Sequence, residues 1–510
     1  MDGIYLPCIQ HNPNNHSFLD SLPEATQQQE IHASSVPRNI VLLFTLQIIA
    51  RLLNFVGSVI LANYLGSQLF GVYTYAIALT TLFVPLSDLG MDMYLFREVP
   101  RNSPHDTSRL FGIVLFSKAS VSLAVFLLVA VASAVLESSA SEHFVNILLA
   151  SIAVLLRAYW STFSSLLRGI DRVSNEVVLF SASRMVEFIG IIVSLVIGGS
   201  LTVVIILIIG CNCLTILGTL LLVRKVFVKP SFRFDTQSIR TAVREGFPFA
   251  LASIFTAIYF NVDTVLLSKF IDAKTAGVYR AAYNLVLPLM MVTSAVAAAV
   301  FPYVSQQYKT NKEQVTHIFR RAVSLLLLLA LPTAVITTFL APEIISFLFA
   351  PEYGAASSSL ALLIWFLPFA YVTNLYGHTL GAMDDQPFVI RVNAVNAAFN
   401  LAANLIFIPF FAQTAAAATT VLTEILGFSI LSVRIRRYFP AVVEPLLLLK
   451  IFFALMLTVP FLVFHPPMNV LIALALALLN YAIALLLVKA ITLKDLREIL
   501  FLMKPPQQEQ

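Results

Sequence analysis

"FGVYTYA" runs from Phe70 to Ala76, and "AGVYRAA" runs from Ala276 to Ala282, 206 residues further on. Each opens a long apolar run, so one spelling of a helix start occurs twice. Aligning Gly71-Val72-Tyr73 with Gly277-Val278-Tyr279 brings a second echo into register. "LLRGIDRVSNEVVLF" precedes one later apolar run and "TLGAMDDQPFVIRV" precedes another, with Gly169 and Gly381 offset by 212. Small residues and Tyr are common where helices meet each other and the membrane interface, so neither match decides the matter alone. Two matches, in one order and at nearly one offset, point to a duplicated bundle.

The composition says what kind of bundle. Of 510 residues, 59% are hydrophobic and only 12% charged, where soluble domains run nearer a quarter charged. Apolar runs recur from about residue 40 to 490, as in an all-α polytopic membrane protein. Fourteen helices are expected, at about 39–63, 72–95, 109–136, 143–167, 177–198, 201–223, 246–268, 277–302, 322–341, 357–379, 389–410, 412–433, 445–464 and 467–489. Most approach the ~20 residues that cross ~30 Å of hydrocarbon. The junctions "IGGSLT", "FFAQ" and "HPPMN" are tight enough to hide one long helix or a re-entrant pair.

Charge fixes an orientation. With the N-terminus inside, 25 Lys and Arg residues fall on inner loops and tails, and only Lys269 and Lys274 fall outside. That asymmetry is what the positive-inside rule describes, and a missed span would scramble it. The net charge of +5 is therefore assigned to inner loops and a lipid surface, with no nucleic acid as partner. The expected organisation is a disordered cytoplasmic tail over 1–38 and a first six-helix bundle over 39–223. A basic cytoplasmic linker over 224–245 leads to a second six-helix bundle over 246–433, two further helices over 445–489 and a cytoplasmic tail over 490–510. Six spans is an even number, so both bundles start inside and are related by an axis along the membrane normal, the arrangement on which alternating access rests.

Five cations remain that no loop accommodates: Arg51, Lys118, Arg157, Arg184 and Arg280. Asp88, Glu187, Asp263 and Glu424 lie at comparable depth. Each costs about 2.5–3.5 kcal/mol at a helix centre, so such groups face a bundle interior or a wet cavity. Lys118 and Arg184 are near enough to the cytoplasmic ends to snorkel. Arg184 and Glu187 are spaced to pair on one helix face. Asp263 and Arg280 are placed to pair at the outer mouth. Four of the five cations belong to the first bundle, and guanidinium forks suit phosphate, so the five are the candidate substrate-binding residues for a polyanion. The four carboxylates are the candidates for coupling to H⁺ or Na⁺, or for gating.

Enzyme chemistry is not spelled anywhere. The chain has no HExxH, GxSxG or P-loop and no His/Cys cluster, so no catalytic residue, metal or cofactor is expected. Cys8, Cys211 and Cys213 make neither a disulfide framework nor a zinc spacing.

"LANYLGSQLFGVYTYAIALTTLFVPLSDLGM" resembles the first-repeat signature of the polysaccharide flippases in the multidrug/oligosaccharidyl-lipid/polysaccharide exporter superfamily. "NVDTVLLSKFIDAKTAGVYRAAYNLVLPLMMVTSAVAAAVFPYVSQQY" resembles its second-repeat counterpart, and "NAVNAAFNLAANLIFIPFFAQTAAAATTVLTEILGF" is similar to its region of spans 11 and 12. The resemblance covers about residues 38–490. It implies two pseudo-symmetric six-helix bundles in a V, with two extra C-terminal helices. It also implies flipping of a polyprenyl-pyrophosphate-linked oligosaccharide across a bacterial cytoplasmic (inner) membrane. Arg280 and Asp263 are the positions that carry over most closely. Lipid II flippases and multidrug or cation antiporters of the same superfamily are the alternatives. One departure stands out: the usual Gly-x-x-Gly between spans 11 and 12 reads "AQTA" at 412–415.

Overall fold

The computed structural model describes residues 24–490, except 137–141, 227, 228, 232–235, 309, 441, 443, 465 and 467. Among the described residues there is no strand. The helices are α1 (Glu24–Asp88), α2 (Met91–Glu98), α3 (Pro104–Leu136), α4 (Glu142–Gly169), α5 (Val173–Val196), α6 (Leu201–Val226) and α7 (Thr236–Phe270). They continue as α8 (Ala273–Val286), α9 (Met291–Gln307), α10 (Lys312–Leu348), α11 (Ala356–Leu363), α12 (Phe366–Ala382), α13 (Gln386–Ile435), α14 (Pro445–Phe464) and α15 (Val470–Leu487).

Eleven of these segments are long and apolar enough to cross a membrane, with α8 and α9 forming one of them, and α11 and α12 add a further span bent by 42°. Two of the eleven are double. A straight α13 of 50 residues would be about 75 Å long, more than twice the hydrocarbon thickness. It breaks at Ala412 (φ 48, ψ −130) and folds back, which brings Asn400 within hydrogen-bond reach of Thr423 at 3.3 Å. Likewise α1 breaks at Gly66 (φ 72, ψ 167), and residues on both sides of the break line one small cavity. Counting both halves gives fourteen crossings, so the chain is an all-helical, multi-pass membrane protein. Residues 1–23 of the expected 1–38 tail, and all of the expected 490–510 tail but Ala490, lie outside the described residues. Two boundaries differ: the chain is already helical at Glu24, and much of the expected 224–245 linker is the end of α6 and the first turns of α7.

Ala412 sits where "AQTA" replaces a glycine-bearing turn. Its backbone occupies a region that a Cβ disfavours, at a cost of order 1–3 kcal/mol. Ala412→Gly is expected to stabilise the protein by about 1 kcal/mol, read as a rise in thermal midpoint in detergent.

The two Gly-Val-Tyr motifs meet each other. A Cβ on Gly71 would fall 1.7 Å from the Ala273 carbonyl oxygen, and a Cβ on Gly277 would fall 2.3 Å from the Ser67 carbonyl oxygen. Ser67 precedes Gly71 by four residues, as Ala273 precedes Gly277, so the contact is reciprocal, as a two-fold pair requires. Only glycine allows backbones this close. The second echo has structure too: Asp171 (φ 57) and Asp384 (φ 62) take the same left-handed conformation, each two residues before the next helix, α5 and α13.

Hydrogen bonds fasten the Gly66 end. Glu352, between α10 and α11, accepts from the Ser67 N–H at 3.0 Å and the Ser67 hydroxyl at 2.9 Å. Asn63 donates to the Leu348 carbonyl and accepts from the Ala350 N–H, both at 2.7 Å. At the opposite end a Cβ on Gly90 would lie 1.9 Å from the Gly246 carbonyl oxygen, and Arg97 pairs with Glu245 at 3.2 Å. Helices α1–α6, the first lobe, and α7–α13, the second, thus meet at both ends of α1's second half, and α1 packs on α7 and α8 between those ends. Helices α14 and α15 pack on α10 through Leu328, Ile451 and Tyr481. Large apolar side chains such as Val131, Leu221, Phe452 and Leu479 remain exposed, as a lipid-facing surface allows.

Candidate functional site

A cavity of about 410 Å³ lies between the lobes. Three helices present polar faces to it at helical spacing. The first half of α1 supplies Arg51, Asn54 and Ser58, α5 supplies Arg184 and Glu187, and α8 supplies Arg280 and Asn284. Arg157 of α4 completes the wall, with Tyr73 and Thr74 from the first Gly-Val-Tyr motif. Four of the five predicted cations are thereby brought together. Against them stands one carboxylate, Glu187, so the lining carries a net charge of +3.

Glu187 is the hub of a triad. Arg184 Nη1 donates to its Oε2 at 2.6 Å, the pairing its spacing predicts, and Arg157 Nη2 donates to its Oε1. The Nε atoms of Arg157 and Arg184 are buried without an acceptor. A buried unmet donor costs about 1–3 kcal/mol, more on a charged group. Arg184 also lies over the Phe180 ring, 5.2 Å from its centroid. Arg51 is exposed to the cavity and forms no ion pair among the described residues.

Arg280 is held differently from expectation. No ion pair joins it to Asp263. Adjacent residues project about 100° apart on a helix, so when Tyr279 reaches α7, Arg280 turns toward the cavity. Tyr279 donates to Asp263 at 2.6 Å, and the Thr264 N–H donates to the same carboxylate at 2.6 Å. The Arg280 guanidinium lies over the Tyr283 ring at 5.2 Å and donates to the Phe260 carbonyl at 3.5 Å.

Lys118 is placed elsewhere. Its side chain is 1% exposed, with Nζ 2.5 Å from Asp92 and 3.2 Å from Asp88. It also donates to Ser161 at 2.9 Å. Asp88 accepts from the N–H groups of Gly90 and Asp92, so this cluster holds the turn that ends α1 and starts α2. Snorkelling toward the lipid surface does not occur, because two carboxylates meet the ammonium inside. Glu424, in the second half of α13, accepts from the Tyr259 hydroxyl at 2.7 Å.

Sequence reading passed over Asp92, Asn54, Ser58 and Asn284. The four-residue spacing of Asp88 and Asp92 was a usable signal. The neutral residues gave none, since uncharged polar side chains are common on membrane helices.

The fold and the cavity define a class first: a two-lobed, multi-pass membrane protein with a cationic space between its lobes. The family described as polysaccharide biosynthesis protein matches residues 36–308, more than half the chain, and the chain belongs to that family. The MatE family matches residues 248–406. Among curated relatives, the chain is similar to the probable low-salt glycan biosynthesis flippase Agl15 of Haloferax volcanii, at 26% identity over 38% of this chain and 41% of that protein. It is also similar to the probable flippase AglR of the same organism, at 27% identity over 41% of this chain and 43% of that protein. The matched stretch thus spans less than half the length of these relatives.

Among solved structures, the inward closed conformation of lipid II flippase MurJ superposes with a TM-score of 0.71, covering 87% of this chain and 98% of MurJ at 17% identity. An inward-facing multidrug resistance MATE family transporter of the MOP superfamily gives 0.63, covering 78% and 98% at 12% identity. At these identities the likeness is one of fold.

Proposed function

We propose that this protein flips a polyprenyl-pyrophosphate-linked oligosaccharide from the inner to the outer leaflet of the cytoplasmic membrane, by alternating access and with both termini cytoplasmic. The observation that carries the reading is the convergence of Arg51, Arg157, Arg184 and Arg280 on one inter-lobe cavity. Guanidinium groups bind phosphate bidentately, and a cavity of low dielectric strengthens the attraction. A cationic drug would meet a net positive wall there, which counts against the antiporter reading despite the shared fold.

The positive-inside asymmetry puts the Gly66 end outside and the Gly90 end at the cytoplasm. The rocking units are then 39–223 and 246–433, linked through 224–245, with 445–489 riding on the second. Coupling to H⁺ or Na⁺ falls to Asp263 and Glu424, because neither carboxylate is engaged in a salt bridge among the described residues; each accepts instead from a tyrosine hydroxyl. Glu187 and Asp88 are engaged by Arg157, Arg184 and Lys118.

Reconstitution tests the reading. Vesicles containing the protein are expected to move a pyrophosphate-linked glycolipid to the opposite leaflet at least tenfold faster than protein-free vesicles. Equal rates would reject it.

A further inference from the structure

Glu187 is the one carboxylate among the four arginines that line the cavity, and it stands at the meeting of the lobes. Phe188, the next residue of α5, packs 3.3 Å from where a Cβ on Gly57 would lie. Asn284 of α8 donates to Ser58, the next residue of α1, at 2.9 Å. Glu187 is therefore level with the point where the second lobe reaches the first half of α1. We infer that Glu187 is a built-in counter-ion for Arg157: the diphosphate of the substrate displaces it on binding, and it reclaims Arg157 as the substrate leaves. This rests on the flippase reading above, and it assigns the carboxylate to release of the cargo.

The two guanidiniums that Glu187 holds are not equivalent. Arg184 lies three residues earlier on the same helix, and its side chain is only 11% exposed. Its guanidinium is stacked on Phe180, so this pair is fixed within α5. Arg157 reaches Glu187 from α4, and its side chain is 37% exposed. A guanidinium carries five N–H donors. Arg157 spends one of them on Glu187, through Nη2, and its Nε has no acceptor among the described residues. Arg157 is thus the cation that an entering anion reaches first, with donors to spare.

Charge gives the exchange its purpose. In the empty cavity the carboxylate offsets the cost of holding two guanidiniums side by side away from bulk water. A diphosphate diester carries a negative charge on each phosphate, so on binding it takes over Arg157 while Glu187 keeps Arg184. Four unopposed arginines would hold such a group too well, and a transport site must bind weakly enough to let its cargo leave. Tighter binding in the cavity lowers the concentration for half-saturation without raising turnover. Glu187 works against that trap, because its bond to Arg157 re-forms as the diphosphate moves off.

The test is titration of inorganic pyrophosphate into the full-length protein in nanodiscs at about 0.1 M salt, where distant exposed charges are largely screened. Glu187→Gln should bind pyrophosphate at least tenfold more tightly than the unsubstituted protein. In vesicles it should reach half-maximal flipping at a lower glycolipid concentration, with a maximal rate at least fivefold down. In an Arg157→Gln background, Glu187→Gln should change the affinity less than threefold, because the group it frees is gone. Unchanged or weaker binding by Glu187→Gln would make the carboxylate a strut that orients the arginines, and would overturn the inference. Equal tightening with and without Arg157 would overturn it as well, as the general effect of one lost charge. Should Glu187→Gln not accumulate in the membrane, Glu187→Asp keeps the charge but is too short to span both arginines. It should bind at least threefold more tightly, and unchanged or weaker binding would again overturn the inference. In each of these failures pyrophosphate still binds, and the flippase reading stands. No pyrophosphate binding to either the unsubstituted protein or Glu187→Gln would remove both.

Discussion

Arg51→Ala and Arg280→Ala are each expected to lower delivery of the lipid-linked glycan to the outer leaflet at least thirtyfold, with membrane insertion and abundance unchanged. A charge-assisted hydrogen bond to phosphate contributes about 1.5–3 kcal/mol. Losing about 2 kcal/mol at the highest point of the path corresponds to roughly thirtyfold in rate. Neither arginine holds the fold together. Arg51 has no ion pair among the described residues, and Arg280 donates one long bond to a carbonyl. Arg157 and Arg184 are less clean targets, because removing either disturbs Glu187 and hence the α4–α5 contact. The measurement is the amount of glycan exposed on intact cells or vesicles, normalised to protein in the membrane. Delivery at the unsubstituted level in both variants would detach the cavity from transport.

Gly71→Ala is expected to destabilise the protein by about 3 kcal/mol, or to prevent closure at the Gly66 end. A Cβ there would lie far inside the van der Waals contact distance of the Ala273 carbonyl, and backbone cannot yield as a flexible side chain can. Gly277→Ala should have an equal effect, since the contact is reciprocal. The double substitution should cost much less than twice either one, because both act on the same approach of α8 to the second half of α1. Thermal unfolding in detergent reads the stability. Labelling of a cysteine placed at Thr74 reads the opening, and it should become faster in both variants.

The duplicated motif was legible because a glycine at a helix–helix crossing is spelled the same way in both copies. What the spelling could not say is that the copies touch each other. Helix count and charge asymmetry were also legible, since hydrophobic length and Lys/Arg placement are properties of local sequence. The breaks at Gly66 and Ala412 matched expected junctions, yet the second uses an alanine where a turn favours glycine, a cost that only the dihedral angle reveals. Among the charges, depth predicted burial but not partners. Arg184 and Glu187 lie on one helix face, so their pairing could be read from spacing. Lys118 could not be placed, because its partners Asp88 and Asp92 come from the end of α1 and the start of α2. For Asp263, the neighbour that counted was Tyr279, one residue before the arginine that charge alone suggested.

The central claim is that the cationic space between the lobes is the path of the anionic head group. It is tested most directly by cross-linking the protein in membranes to an isoprenyl diphosphate bearing a photoreactive group beside the diphosphate. Adducts are predicted on the segments 50–58, 180–191 and 280–288, which line the cavity, with competition by unlabelled lipid diphosphate and loss in Arg51→Ala. Adducts confined to the lipid-facing surfaces of α6, α14 and α15, unchanged by that substitution, would contradict it.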